Sequence, residues 1–130
     1  MFAVEVRDHI MIAHSLKGEV FGPAQAMHGA TFVVDVTFFR ETLSADNIVV
    51  DMGRAHDVLK RVLGPINYAN LDEVFPGEVT TTEYLCRHIH TEIAKAAREG
   101  GLGPGSDGLS ALRVTLNESH VAKAWYEAAI

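Results

Sequence analysis

Residues 28–39 read HGATFVVDVTFF, and their alternation decides the fold. Side chains of a strand point to opposite faces in turn, so His28, Ala30, Phe32, Val34, Val36 and Phe38 share one face and Thr31, Asp35 and Thr37 share the other. One apolar face and one polar face predict a strand covering a core on one side only. An H-x-H at its start would set two imidazoles side by side, but Ala30 stands where the second would be.

Upstream, Phe2, Val4, Val6, Ile10 and Ile12 recur at the same period, broken only at Asp8, and predict a first strand over 2–12. His14 keeps the parity of Ile10 and Ile12, so His14 and His28 are both expected to point inward. The segment SLKGEVFGPAQA (15–26) between the strands is rich in glycine and small residues and reads as a loop.

Downstream, RETLSADN (40–47) is a polar turn, and IVVD leads into MGRAHDVLKRVLGP (52–65). There Met52, Ala55, Val58, Leu59 and Val62 mark one helical face, ended by Gly-Pro. A second helix follows VFPGEV, with Thr80 and Glu83 as a capping box, Leu85, Ile89 and Ile93 inward, and Gly100-Gly101 as its stop. After the glycine-rich loop GGLGPGSDG (100–108), LSALRVTLNE (109–118) and HVAKAWYEA (120–128) read as a last pair of strands. The expected order is ββααββ, an α+β subunit with two helices on an antiparallel sheet, in one domain over 1–130. Such a sheet has two open edges, and pairing of copies edge to edge in a closed ring would cover them, so a cyclic homo-oligomer is expected.

Composition narrows the function classes. Of 130 residues, 48% are apolar, enough for one core. Asp and Glu outnumber Lys and Arg by 17 to 11, and the cations form no stripe, so nucleic acid is not an expected partner. The single cysteine, Cys86, excludes a disulfide framework and a cysteine-based zinc site. The start of the chain, MFAVEVRDHIMIAH, carries Glu5, Arg7 and Asp8 and lacks the apolar run of a leader or membrane span. A cytoplasmic protein without membrane association is expected.

Few residues can carry chemistry. Glu118 has the parity of Leu112, Val114 and Leu116, where a charge without a partner would be costly to desolvate. A flat ring presenting two parallel N–H groups, as a guanine or pterin edge does, would satisfy both its oxygens; an arginine or water would do so as well. Thr81 and Thr82 are not needed by the cap and are candidates for polar contacts to a ligand. His14 and His28 are possible zinc ligands, but catalytic zinc takes three protein ligands and a water, and His9, His56, His88, His90 and His120 supply no evident third. Hydrogen-bonded structural roles are the alternative for both.

The element order, His14 after an "IA" strand end, "HG" at 28–29, "VVDM" before the first helix, "TTE" opening the second and Glu118 in the last hairpin together resemble the 6-pyruvoyl-tetrahydropterin synthase family, which includes the 6-carboxy-tetrahydropterin synthases of the queuosine pathway. The resemblance runs over nearly the whole chain. It implies the tunnelling fold: three subunits close a barrel of twelve strands, two rings stack as a hexamer (a dimer of trimers), and sites lie between subunits.

The resemblance also implies what this chain lacks. The family's zinc ligands correspond to His14, His28 and the position of Ala30. Its catalytic cysteine falls at Ala24, and its Asp-His pair falls at Asn67 and Tyr68 in INYANLD (66–72). Alanine takes no proton, asparagine does not ionise, and tyrosine titrates far above neutrality. The glutamate and threonines that grip the pterin correspond to Glu118, Thr81 and Thr82. The expectation is a pterin-binding or guanine-binding homologue with no zinc and without the family's carbon–oxygen lyase reaction. The alternatives are a metal-independent enzyme using Tyr68, His14 or His28 as acid or base, a zinc enzyme completed by a neighbouring subunit, and a ring with no ligand.

Overall fold

Alternation along the first two strands produces a long two-stranded ribbon on which the rest is built. The computed structural model describes residues 1–130. Strand β1 (Phe2–His14) and strand β2 (His28–Arg40) pair antiparallel without a bulge, from Phe2 opposite Arg40 to His14 opposite His28. β1 thus runs two residues past the predicted end at Ile12, which brings His14 into the ladder. The ribbon is extended by β4 (Ala111–Asn117) on β2 and by β5 (Lys123–Ala129) on β4, both antiparallel.

The fifth strand is a departure from ββααββ. Beyond helix α1 (Met52–Leu63), Ala69–Asn70 forms a two-residue strand β3 parallel to β1, followed by the single turn α2 (Leu71–Val74). The sheet is therefore mixed, in the order β3-β1-β2-β4-β5. Asn67 and Tyr68 hold β3 in place: Asn67 Oδ1 accepts from the Met11 N–H (3.1 Å) and the Tyr68 N–H donates to the Met11 carbonyl (2.7 Å). Two residues of strand and four of helix carry no periodicity, so neither appears in the hydrophobic pattern.

Helix α3 (Thr82–Arg98) also starts differently from expectation. Its N-cap is Thr81, whose hydroxyl accepts from the Tyr84 N–H (3.1 Å), and no Thr80–Glu83 capping box forms. Thr80 is instead fully buried, with its hydroxyl turned to His14. On α1, capped by Asp51, the inward face is Ala55, Val58, Leu59 and Leu63, while Met52 is exposed, contrary to the predicted stripe.

Helices α1 and α3 lie on one face of the sheet, and 26 apolar residues are buried between the layers. Cys86 is among them, with its Sγ against the Ala124 carbonyl (3.4 Å). The other face is polar and laced by ion pairs. Arg7 grips Asp35 with two nitrogens (2.6 and 2.9 Å), Asn117 donates to the same carboxylate (3.0 Å), and Arg113 pairs with Glu127 (2.7 Å). No helix is long and apolar enough to cross a membrane.

Both sheet edges are open. β3 covers β1 only at Ile12 and Ala13, and β5 has no outer neighbour. Met11 turns its N–H and C=O outward to Asn67 and Tyr68, so by alternation Ala3, Glu5, Arg7 and His9 also present theirs to the edge. The Asp8 carboxylate folds over one of them, accepting from the His9 N–H (2.7 Å).

Candidate functional site

His14 ends β1 and His28 begins β2, so their antiparallel register sets them opposite each other on the helix-covered face. Their ring centroids are 4.6 Å apart, edge to face. His14 is buried, 4% exposed, and its Nδ1 donates to the Thr80 carbonyl (3.0 Å) and lies 3.1 Å from the Thr80 hydroxyl. His28 is half-buried and its Nδ1 donates to the Ala26 carbonyl (2.9 Å). A carbonyl oxygen only accepts, so each Nδ1 carries a proton. Burial, reinforced by the neighbouring His28, pushes the His14 pKa below its usual value and keeps the ring neutral.

The chain just past His14 is fixed by residues that the hydrophobic pattern does not single out. Ser15 donates to Asp72 from its N–H (3.1 Å) and its hydroxyl, and these bonds hold the Asp72 carboxyl below the usual range. Thr80 and Asp72 are the two that sequence reasoning missed. The only signal for Asp72 was its place in INYANLD, and for Thr80 the choice between two adjacent threonines as the cap.

The remaining expected positions fall as follows. Ala30 shares the face of His28 and pairs with Ile12; its methyl offers no donor atom. Ala24 lies in a 3-10 segment (Glu19–Gln25), where its carbonyl accepts from the Leu16 N–H (3.0 Å). The Tyr68 backbone is left-handed (φ 57°), and its side chain, 78% exposed, sits at the β3 edge beside Met11 and Ala13, with no hydrogen bond to either histidine. Thr81 uses its hydroxyl as acceptor for the α3 cap, and Thr82 is the first helical residue, both half-buried.

Glu118 requires a correction. β4 ends at Asn117, and Glu118 is exposed in the hairpin turn, where its N–H donates to the Ala122 carbonyl (3.1 Å). It is not a charge forced into the core, because the strand stops one residue before it. Its negative charge is near enough to His14 to act on that ring's protonation, which puts it at the same end of the sheet.

A three-ligand zinc site does not fit the donors of one chain. Two imidazoles face each other, and no group of three or more His, Cys, Asp or Glu side chains is arranged to hold a metal ion. Of the other histidines, His90 donates from Nε2 to the Ala128 carbonyl (3.1 Å) against Tyr126, and His88 packs on Phe75. Two clefts of about 670 Å³ each also lie apart, one among α1, α2 and α3, the other beside Phe2–Val4.

The wider comparisons agree with this architecture. The fold matches 6-pyruvoyl tetrahydropterin synthase of Caenorhabditis elegans with a TM-score of 0.80, at 21% identity, over 98% of this chain and 96% of that one. The Plasmodium vivax 6-pyruvoyl tetrahydropterin synthase matches with a TM-score of 0.74 at 13% identity, over 100% of both chains. A dihydroneopterin aldolase from Burkholderia thailendensis, solved bound to guanine, matches with a TM-score of 0.51 at 13% identity, over 98% of this chain and 88% of that one. No curated protein matches in sequence. The fold is thus the α+β tunnelling fold shared by these pterin-metabolising enzymes, and the sequence profile for 6-pyruvoyl tetrahydropterin synthase matches residues 3–129. With sheet order, helix placement and sequence profile in agreement over almost its full length, the chain belongs to the 6-pyruvoyl tetrahydropterin synthase family.

Proposed function

We propose that this chain binds a pterin or a guanine-like ring through Glu118, with Thr81 and Thr82 beside it, and neither holds a catalytic zinc nor carries out the family's triphosphate elimination. The observation that carries this reading is the contrast between the two halves of one site. The acidic anchor lies within electrostatic reach of His14. The positions of the family's cysteine, Asp-His pair and third zinc ligand hold Ala24, Asn67, Tyr68 and Ala30 instead.

Three of those positions have other work. Asn67 binds the Met11 N–H, Tyr68 continues that contact through its backbone, and Ala24 ties down the loop before His28. A metal-free acid–base reaction through Tyr68 is the weaker reading, since within one chain its side chain stands at the open edge, away from the histidines. The open edges of β1 and β5 support assembly into a closed ring, read here as a hexamer built as a dimer of trimers.

A fluorescence titration with neopterin tests the reading. Saturable binding is expected, weakened roughly 10–100-fold by Glu118→Gln, because a carboxylate accepting two N–H bonds is replaced by an amide that can accept at only one atom. Absence of binding, or binding indifferent to Glu118→Gln, would leave the ring without a ligand at this site. Turnover of dihydroneopterin triphosphate that requires zinc would overturn the second half of the proposal.

A further inference from the structure

The cleft among α1, α2 and α3 carries an apolar floor, an aromatic pair and charges of both signs. Its volume is about 670 Å³, within the range of small-molecule sites, and none of its lining residues belongs to the His14–Glu118 end. We infer that this cleft binds a free α-amino acid with an aromatic side chain, its ring on Phe75 and its zwitterionic head group among Arg61, Lys95, Glu92 and Glu99. The site stands apart from that of Glu118, and neither depends on the other.

The lining changes character along α3. Near its start, Phe75 packs edge to face on His88, with ring centroids 4.8 Å apart, and Val62 and Ile66 add aliphatic surface to the cleft. Burial pushes the His88 pKa below its usual value, so at neutral pH the aromatic pair adds no positive charge. Further along, Glu92, Lys95 and Glu99 line the cleft at steps of three and four residues, which puts them on one face of the helix. Arg61 of α1 supplies a second cation. A Cβ at Gly101 would stand 3.4 Å from Arg61 Nη2, so the bare glycine after α3 leaves the guanidinium its place. His88 and Lys95 are about two turns apart, roughly 10 Å along the axis, a spacing that one amino acid bridges from ring to head group.

None of these four charges is used within the chain, whose ion pairs are Arg7–Asp35, His9–Asp8, Arg54–Asp51 and Arg113–Glu127. Their mixture selects the class of ligand. A simple anion would meet Glu92 and Glu99, a simple cation would meet Arg61 and Lys95, and an uncharged molecule would desolvate all four without pairing any. An α-amino acid carries both charges on one carbon: its carboxylate accepts from Arg61 and Lys95, and its ammonium donates to Glu92 and Glu99. The Phe75 end then receives an aromatic side chain. No bond is made or broken in this arrangement.

Titration of the protein with L-phenylalanine, followed by NMR of the His88 ring, tests this. Saturable shifts are expected in the His88 signals, identified by their loss in His88→Gln. N-acetyl-L-phenylalanine lacks the ammonium, L-phenylalanine amide lacks the carboxylate and L-alanine lacks the ring; each should bind about tenfold more weakly or worse. Arg61→Gln and Glu99→Gln, both at exposed positions, should each weaken L-phenylalanine binding about tenfold, with neopterin binding and the circular dichroism spectrum unchanged. Absence of His88 shifts with L-phenylalanine overturns the inference. Equal binding of the analogues overturns it as well, since the cleft would then be an unselective apolar slot. Loss of neopterin binding alone, with L-phenylalanine still bound, would remove the Glu118 reading and leave this site standing.

Discussion

His14 is the residue on which stability and site meet. Its ring is buried, neutral and bonded to Thr80, and its pKa is pushed down first by burial and then by His28. In the unfolded chain it titrates near 6.5, the ordinary histidine value. Below that pH the unfolded state binds the proton more readily than the folded one, so stability is complete above about 6.5 and is lost as pH falls toward the folded pKa. Asp35 and Asp72 act in the same direction at lower pH: the bonds from Arg7 and Ser15 depress their folded pKa values, and their contributions are lost as pH falls below the carboxylate range. Urea midpoints measured against pH should therefore decline in two stages, and His14→Phe should flatten the earlier stage while leaving the later one. A single stage confined to the carboxylate range in the parent protein would remove His14 from this account. That His14 points inward was legible from the parity of Ile10 and Ile12. Its partner was not, because parity says which face a side chain occupies and nothing about the loop that meets it 66 residues on.

Among the elements, the α3 N-terminus shows how close a correct reading can come to the wrong atom. Either threonine could cap the helix by residue type, and Glu83 three residues after Thr80 favoured that one; burial decides for Thr81, since Thr80 is needed by His14. Thr81→Ala should cost about 1 kcal/mol in thermal or chemical unfolding, as loss of an N-cap does, and Thr81→Ser should restore it. Thr80→Ala should instead alter the His14 titration followed by NMR. β1, β2 and α1 were readable because ten or more residues each repeat one period, whereas β3 and α2 are positioned by individual hydrogen bonds, those that Asn67 and Asn70 accept and the one from the Tyr68 N–H to the Met11 carbonyl. A polar side chain bonded across 56 positions leaves no trace in a hydrophobic pattern. The same holds for Glu118, where parity was right and the end of the strand was not.

At the scale of the whole molecule, the sheet is finished on its faces and unfinished at its margins. Helices cover one face and ion pairs order the other, while most of β1 and all of β5 retain outward backbone groups. If copies join along these margins, proline at Ala3 and His9, whose N–H groups take no part in the β1–β2 ladder, should break the assembly without unfolding the subunit. Sedimentation velocity of Ala3→Pro with His9→Pro checks this: monomers with an unchanged circular dichroism spectrum are expected, and an intact assembly would place the joint elsewhere. The Asp8 carboxylate over the His9 N–H bears on the chain before any such joining. An open strand margin is a template on which another extended peptide can pair. A carboxylate lying across that margin works as a turnstile: a passing strand that offers only a few bonds must first displace a charged one, whereas a matching strand, bonding along the full row, turns it aside.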